Sequence, residues 1–369
     1  MLNLLIITLA NESLSGGSVA SRSNYEAFKN TSAFNISVIG SNKLDYATHT
    51  CDMLLTSVQK VFNYAKLQPS INYSAILQAI DEAKFKDIDV IFFDSSLLGS
   101  LTPQLRRRFP DVFFVTFFHN VESITYYSMM KKSSPFSWTR FISIYRAERL
   151  AARNSNYRIA LSNSDSVTLE EILGTSADII WPITYPPANS IPYNNPIREE
   201  YVLFVGGYYK PNLDAIDYLA TRIAPRVRKK IVVAGFNLGK IKEKYACTPN
   251  IIILDSPANL APLYQHANLV LAPIFTGGGI KTKIIEAFSF GKFVIASPQA
   301  AIGFDNIPKT CMMIANSDAD YVTEIGVSTP SSLKMEIIAE FEKNYSARAK
   351  NMLLQKLVKI IMDRRQPEK

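Results

Sequence analysis

The sequence is poor in cysteine and histidine, the residues on which disulfide frameworks and many metal or catalytic centres depend. Its 369 residues include three cysteines, namely Cys51, Cys247 and Cys311. This odd and scattered set contains no CxxC pair, so it predicts neither a disulfide framework nor a zinc site and is typical of a reducing cytosol. The three histidines leave little material for a metal centre or a Ser-His-Asp triad; they are His49, His119 and His266.

Long apolar runs are also missing. No stretch approaches the roughly 18 apolar residues that a membrane-spanning helix needs. The N-terminal segment MLNLLIITLA is apolar but short, and no Lys or Arg precedes its apolar run. We therefore expect a first buried β-strand here in preference to a signal peptide cleaved near GGSVA.

The charge balance is strongly basic. The net charge is +8 and the isoelectric point is near 9.2. Such a balance fits nucleic acid, an anionic membrane surface or a phosphorylated substrate, and composition leaves the three open. With 47% hydrophobic residues the chain can bury large cores, and its length predicts two domains.

Short apolar runs alternate with helical patterns along the whole chain. Several runs, such as DVIFFD and VFFVTFFH, are apolar without alternation, as expected for strands that are covered on both faces. Helical patterns such as YSAILQAIDEAKF lie between them. This alternation predicts an α/β fold with parallel sheets and helices on both faces.

A proline-rich segment within TYPPANSIPYNNPIREE separates the two sets of strands and predicts a linker at 186–198. The predicted domains are Rossmann-like units at 1–185 and 199–345, followed by a basic amphipathic helix and tail at 346–369. We expect two doubly wound sheets facing a central crevice, with ligands beyond the carboxyl ends of the strands.

The stretch TGGGIKTKIIEAFSFGK, residues 276–292, places three glycines before a predicted helix. A helix N-terminus binds anions, and glycines let a ligand approach the backbone closely. Further along, a carboxylate can accept both hydrogen bonds of a ribose diol. Together these features describe a nucleotide site, although neither GxGxxG nor GxxxxGK[ST] is present. The residues expected there are Gly277, Gly278, Gly279, Ile280, Lys281, Lys283 and Glu286.

With LAPLYQHANLVLAPI before it and KFVIASPQAAIGF at its end, this stretch resembles the donor-binding segment of retaining GT-B glycosyltransferases of family 4. Other segments agree with that family in order and spacing, namely SLSGGSVASRSNYEAF, FFHNVESITYY, ALSNSDS and FVGGYYKPNLDAIDYLATRIAP. The resemblance implies a GT-B fold whose last helix crosses back to the first domain. It also implies metal-independent hexosyl transfer from a UDP- or GDP-linked sugar, with no separate cofactor.

The resemblance also assigns roles to individual residues. His119 would contact the donor sugar or the acceptor, and Lys210 and Lys283 would neutralise the leaving phosphate. The further glycines expected beside the diphosphate are Gly16, Gly17 and Gly207. Two positions depart from the family pattern: Gly278 replaces a frequent acidic residue, and Gly207 stands where an arginine is common.

The expected acceptor is a glycan or lipid-linked glycan in the assembly of bacterial surface polysaccharide, such as O-antigen, capsule or exopolysaccharide. A basic chain without a spanning segment would work in the cytoplasm, with peripheral contact at the inner membrane. Segment 126–149 offers cations and aromatics for that contact, although an ordinary amphipathic core helix explains it equally well. They are Lys131, Lys132, Phe136, Trp138, Arg140, Phe141 and Arg146.

Two other functions remain open. A nucleotide-sugar 2-epimerase can use the same scaffold, but we would expect more histidines and carboxylates in its site. A non-catalytic nucleotide-binding subunit is the other alternative, and the glycine at position 278 agrees with it. Nucleic-acid binding is not expected, because no RNA-binding motif occurs and the basic residues are not concentrated in one element.

Overall fold

The chain divides into two compact units. Unit 1 comprises Met1–Ile183 and Lys350–Lys369, and unit 2 comprises Thr184–Ala349. The computed structural model describes residues 1–10, 16–53, 55–85, 87–188, 192–195, 197–327 and 332–365. Parts of the predicted linker and of the tail lie outside the described residues, namely 189–191, 196 and 366–369.

Unit 1 is built on one parallel sheet. Its strands are β1 (Leu2–Ile7), β2 (Phe34–Ser41), β3 (His49–Cys51), β4 (Val90–Phe93), β5 (Phe113–Phe118), β6 (Tyr157–Ala160) and β7 (Ile179–Ile180). They lie in the order β3-β2-β1-β4-β5-β6-β7, and every pairing is parallel. The helices that follow them are α1 (Gly16–Lys29), α2 (Ser57–Ala65), α3 (Tyr73–Glu82), α4 (Thr102–Arg108), α5 (Glu122–Met129), α6 (Pro135–Asn154) and α7 (Asn163–Leu173).

Unit 2 repeats the design with a smaller sheet. Its strands are β8 (Tyr201–Val205), β9 (Lys230–Gly235), β10 (Ile251–Asp255), β11 (Val270–Ala272), β12 (Val294–Ala296) and β13 (Met312–Ile314). Their order is β10-β9-β8-β11-β12-β13, again all parallel. The helices are α8 (Lys210–Tyr218), α9 (Gly239–Lys242), α10 (Ala261–His266), α11 (Thr282–Ser289), α12 (Pro298–Ala301), α13 (Asp318–Gly326) and α14 (Leu333–Asn344), and α15 (Ala347–Arg365) ends the described chain.

The predicted fold class of two Rossmann-like parallel sheets is confirmed. The central strands explain why the prediction succeeds, since every residue of β4 and of β5 is buried, as a strand covered on both faces requires. The strands that the sequence did not reveal are β3 and β13. Each has three residues and lies at a sheet edge, where one missing neighbour relaxes the demand for an apolar run.

Each sheet has one point at which the strand order reverses. In unit 1 this point lies between β1 and β4, and in unit 2 it lies between β8 and β11. Ligands of doubly wound sheets bind beyond the carboxyl ends of the strands at such a point. The chain that leaves β8 carries Gly207, and the chain that leaves β11 leads to the glycine loop, so two predicted segments lie at one reversal.

The terminal helix α15 contributes its residues from 350 onward to unit 1, as the resemblance implied. Leu354, Leu357 and Ile361 are 1–2% exposed, so one stripe of the helix is core. Met352 and Ile360, on the other side of the same helix, face outward with 53% and 39% exposure.

We predict that Leu357→Ala lowers the free energy of unfolding by about 2–5 kcal/mol, because it removes buried methyl groups and leaves a cavity. Denaturant unfolding measures the change. Met352→Ala is the matched control on the exposed side of the same helix and should change stability by less than about 0.5 kcal/mol. Equal effects of the two variants would contradict the assignment of α15 to the core.

Candidate functional site

The glycine loop between β11 and α11 needs glycine for its shape. Gly277 and Gly279 have φ angles of +95° and +73°, in the left-handed region that favours glycine. The Lys281 ammonium donates to the carbonyl oxygens of Gly277, Gly278 and Gly279 at 3.2, 3.0 and 2.6 Å. Lys281 therefore fixes the loop, a role that the sequence did not reveal.

The helix after the loop begins later than the sequence suggested. Its first residue is Thr282, and Lys281 occupies the capping position with extended backbone, so Ile280 still belongs to the loop. Gln299 closes the other side by donating to the Gly277 carbonyl at 3.1 Å. The loop is thus held by side chains from both directions before the helix starts.

Glu286 is the carboxylate that the sequence placed at the ribose. It lies half-buried on α11 and accepts a hydrogen bond from the Tyr264 hydroxyl at 2.9 Å. Burial raises the pKa of Glu286, and the Tyr264 hydrogen bond acts in the opposite direction. The pKa of Tyr185 is raised to about 12, mainly by burial and also by the nearby Glu286 charge. A solvated surface carboxylate, the simpler interpretation, does not describe this position.

Lys283 is a half-buried cation whose hydrogen-bond acceptor is neutral. Its ammonium donates to Asn212 Oδ1 at 2.9 Å and lies 4.3 Å from the centre of the Phe204 ring. Burial lowers the pKa of Lys283 to about 7, and the neighbouring Lys281 charge lowers it further. Among the described residues no carboxylate forms an ion pair with it. A half-buried ammonium without a carboxylate partner favours an anion supplied by a ligand.

Asn212 joins the two segments that meet at the reversal of the unit 2 sheet. Its Oδ1 accepts from Lys283, and its Nδ2 donates to the Gly207 carbonyl at 3.0 Å. A Cβ on Gly206 would lie 2.7 Å from Asn212 Cγ, so glycine there makes room for the amide. Sequence reasoning missed Asn212, because an asparagine near a helix start is usually read as a cap.

Lys210 and Gly207 follow β8 in different settings. Lys210 opens α8 with a side chain that is 78% exposed, and it pairs with Asp214 one turn later. A Cβ on Gly207 would lie 3.1 Å from the Phe236 carbonyl oxygen, which explains the small residue in packing terms. The phosphate role of Lys210 therefore stays a prediction.

His119 follows β5 at the carboxyl edge of the unit 1 sheet. Its Nε2 donates to the Asp94 carbonyl oxygen at 2.9 Å and lies 3.7 Å from Asp94 Oδ1. Its Nδ1 is buried and has no hydrogen-bond partner among the described residues. With the proton on Nε2, Nδ1 is an acceptor that a substrate hydroxyl can satisfy.

Asp94 is the centre of a buried polar network that sequence reasoning missed. Its carboxylate accepts from Thr8 Oγ1 at 2.7 Å and from Asn24 Nδ2 at 3.1 Å. Asn24 in turn accepts from the buried ammonium of Lys350 at 2.8 Å, and that ammonium lies 5.5 Å from the Trp181 ring centre. Burial lowers the pKa of Lys350 to about 7, with Asp94 acting in the opposite direction. The network ties the terminal helix to the strand end that holds His119.

A second buried carboxylate anchors the segment after His119. Glu148 on α6 accepts from the backbone amides of Glu122 and Ser123 at 2.7 and 3.0 Å, and from Ser96 Oγ at 3.3 Å. These amides belong to the start of α5, where donors lack partners within the helix. Burial raises the pKa of Glu148 to about 7, and the hydrogen bonds from Ser123 and Glu122 oppose the rise.

Gly16 and Gly17 start α1, just after the undescribed residues that follow β1. A Cβ on Gly17 would meet no atom of the described residues within 4 Å. Packing against the described residues therefore does not demand glycine there, and the diphosphate role of Gly16 and Gly17 stays a prediction.

Comparison with known proteins finds similarity to glycosyltransferases in part of the sequence and in the fold. Residues 199–325 match the family model described as Glycosyl transferases group 1, and no curated protein sequence matches the chain. Sucrose-phosphate synthase from Thermosynechococcus elongatus superposes with a TM-score of 0.73 at 15% identity, over 98% of this chain and 100% of that one.

Two other solved structures are similar over nearly the whole chain. HepE from Anabaena in complex with UDP-glucose has a TM-score of 0.68 at 11% identity, over 97% of this chain and 100% of its own. WaaG, a glycosyltransferase involved in lipopolysaccharide biosynthesis, has a TM-score of 0.64 at 14% identity, over 97% and 99%. At these identities the likeness shows the fold, and it agrees with the predicted GT-B class. The segment that matches the group 1 model contains the glycine loop, Lys283 and Glu286, so it includes the candidate site of unit 2.

We predict that Glu148→Ala lowers the free energy of unfolding by at least about 2 kcal/mol, since it leaves two amide donors at the start of α5 without their acceptor. Chemical denaturation measures the loss. The control is Glu171→Ala, at an exposed position of α7. If both variants unfold at the wild-type denaturant concentration, Glu148 does not anchor the segment.

Proposed function

We propose that the chain is a metal-independent, retaining GT-B glycosyltransferase of family 4 that moves a hexosyl group from a UDP- or GDP-linked sugar. The observation that carries the proposal is the pair formed on α11 by two half-buried side chains, the Lys283 ammonium without a carboxylate partner and the Glu286 acceptor. Both follow the glycine loop at the reversal of the unit 2 sheet. The group 1 match covers this region, and the similar HepE structure contains UDP-glucose.

In this proposal unit 2 binds the donor. Glu286 accepts the two ribose hydroxyls, held in orientation by Tyr264. The loop of Gly277, Gly278 and Gly279 lets the diphosphate approach the backbone, and Lys283 faces its charge. Lys281 acts indirectly, because it holds the loop in the conformation that receives the diphosphate.

The reaction breaks the bond between the sugar C1 and the diphosphate oxygen, and it forms a bond between C1 and the acceptor oxygen on the same face. The acceptor proton passes to the leaving phosphate oxygen, so no carboxylate nucleophile is required. Negative charge grows on the leaving phosphate, and a preorganised cation nearby stabilises it. Lys283 supplies that cation, with Lys210 as a second, and His119 Nδ1 accepts from a hydroxyl of the sugar or the acceptor.

The proposed acceptor is a glycan or lipid-linked glycan of bacterial surface polysaccharide, because WaaG, a similar structure, takes part in lipopolysaccharide biosynthesis. The proposed location is the cytoplasm, with peripheral contact at the inner membrane. No helix among the described residues is long and apolar enough to cross a bilayer.

The first test is binding of UDP-, GDP- and dTDP-sugars by calorimetry, followed by a transfer assay with the sugar that binds. We predict that Glu286→Gln weakens that binding at least tenfold, because a neutral amide replaces an acceptor worth about 1.5–3 kcal/mol per hydrogen bond to a charged group. Gln retains an oxygen for Tyr264, so the fold should survive.

Glu336→Gln, at an exposed position of α14, is the control and should bind as the wild type does. Unchanged affinity of the Glu286 variant would exclude the ribose contact. Binding without transfer to any glycan acceptor would favour the non-catalytic subunit, and conversion of the free nucleotide sugar to its 2-epimer would favour the epimerase.

We also predict that binding takes up a proton at pH 8. The pKa of Lys283 is about 7 in the ligand-free protein, so at pH 8 its amine is mostly neutral. A diphosphate beside it favours the ammonium and raises the pKa, and binding should therefore take up nearly one proton. Calorimetry in buffers with different ionisation enthalpies measures this number.

Lys283→Met should bind more weakly and lose the proton uptake, whereas Lys309→Met, at an exposed position of unit 2, should keep both. Proton uptake that persists in the Lys283 variant would assign it to another group and remove Lys283 from the phosphate site.

A further inference from the structure

Helix α2 in unit 1 turns its apolar side toward solvent. Val58, Val61 and Phe62 are 65%, 64% and 62% exposed. Their spacing of three and four residues places them on one face of the helix. A surface helix of a globular protein normally buries such a face against the core.

The helix is held firmly in this orientation. A capping box between Thr56 and Gln59 closes its start. Asn63, in the last turn, donates from its Nδ2 to the carbonyls of Pro69 and Ile71 beyond the helix end at 3.0 and 2.8 Å. Tyr64, in the same turn, is buried. The exposed face is therefore a fixed feature of the surface.

A second exposed apolar set lies beside α2, at the end of α5 and in the first half of α6. It comprises Met129, Phe136, Trp138 and Ile142, which are 58%, 56%, 40% and 42% exposed. The Tyr64 and Phe136 rings lie edge to face with centres 5.2 Å apart, and Arg146 donates to the Lys66 carbonyl at 3.5 Å. We call α2 with the following Lys66, together with residues 127–146, the acid-free surface.

The name describes its charge. Residues 53–80 and 123–147 contain no Asp or Glu, and their charged side chains are Lys60, Lys66, Lys131, Lys132, Arg140 and Arg146. None of these cations forms an ion pair within the part of the chain that the structure describes. Lys132 and Arg140 lie instead over the Tyr127 and Tyr126 rings, 4.6 and 4.8 Å from the ring centres.

We propose that the acid-free surface docks on an anionic lipid bilayer. The apolar side chains of α2, α5 and α6 on this surface would enter the boundary between head groups and acyl chains. The surrounding cations would contact lipid phosphates. Trp138 and Tyr127 belong to the residue types that concentrate at that boundary. The proposal deepens the peripheral membrane location given under Proposed function, and it does not depend on sugar transfer.

The chemistry of the surface favours lipid over the other occupants. A second copy of the chain, paired through the same patch, would bring cations against cations. Single-stranded nucleic acid would use the cations and aromatics, but the aliphatic Val58, Val61 and Ile142 offer it no stacking. A bilayer uses the aliphatic, aromatic and cationic groups together.

The test is sedimentation of the full chain with vesicles of phosphatidylcholine, alone or mixed with phosphatidylglycerol. We expect binding to the mixed vesicles that weakens as salt rises. The variants Val58→Ser/Phe62→Ser and Lys60→Glu/Lys66→Glu should each weaken binding at least tenfold, because one removes apolar insertion and the other reverses two charges.

Matched controls change similar groups elsewhere. Val167→Ser/Met335→Ser replaces side chains that are 55% and 70% exposed, and Lys356→Glu/Lys359→Glu makes the same charge change on α15. Both controls should retain at least half of the wild-type vesicle binding. If they lose as much as the test variants, net composition explains the binding and the proposal fails.

Two other outcomes would overturn the inference. One is equal binding of wild type and test variants to the mixed vesicles. The other is a patch-dependent preference for single-stranded RNA, or for dimer formation, with no vesicle binding. Donor-sugar affinity is measured on the same variants and should not change. If the wild type binds vesicles but no nucleotide sugar, only the proposed transfer function is contradicted.

Discussion

Parallel pairing is the constraint on which both candidate regions depend. When every strand of a sheet runs in one direction, all carboxyl ends meet at one edge, and side chains far apart in sequence come together there. In unit 1 this brings Thr8, after β1, to Asp94, after β4, and the Thr8 hydroxyl donates to Asp94 Oδ2 at 2.7 Å. In unit 2 it brings the chain after β8 to the chain after β11, where Asn212 bridges Gly207 and Lys283.

The buried charges at these edges are held by neutral or polar partners more than by opposite charges. Glu148 is held by two backbone amides, Lys283 by an amide oxygen and an aromatic ring, and Lys350 by Asn24 and Ser23. Burial shifts each pKa to about 7. The roles differ with surroundings: Glu148 and Lys350 tie helices to the unit 1 core, whereas Lys283 follows the glycine loop, where an anion could complete its environment.

The sequence predicted what depends on runs of one residue type. Buried strands such as β4 and β5 and the glycine loop follow from local pattern, whereas the ribose role of Glu286 stays a prediction. It did not predict β3 and β13, which are short edge strands. Nor did it predict Asn212, Asp94 or Glu148, whose partners are 71, 86 and 26 residues away in the hydrogen bonds that define them. Such residues acquire meaning only when the sheet brings their partners close, and no local pattern marks them.

The basic composition had left three partners open, and location separates them. Lys283 follows a glycine loop whose shape is held by Lys281. A cation beside such a loop suits a compact diphosphate. The cations of the acid-free surface surround exposed aliphatic and aromatic side chains. This arrangement suits the boundary of a lipid bilayer and does not enclose a small soluble anion. Some other basic groups pair with carboxylates, as the Arg158 guanidinium does with Asp178 at 2.8 Å, and others bind backbone carbonyls, as Lys292 does at Gln265 and Ala267. The cations behind the net charge of +8 therefore differ in their surroundings, and it is on these differences that the two proposals rest.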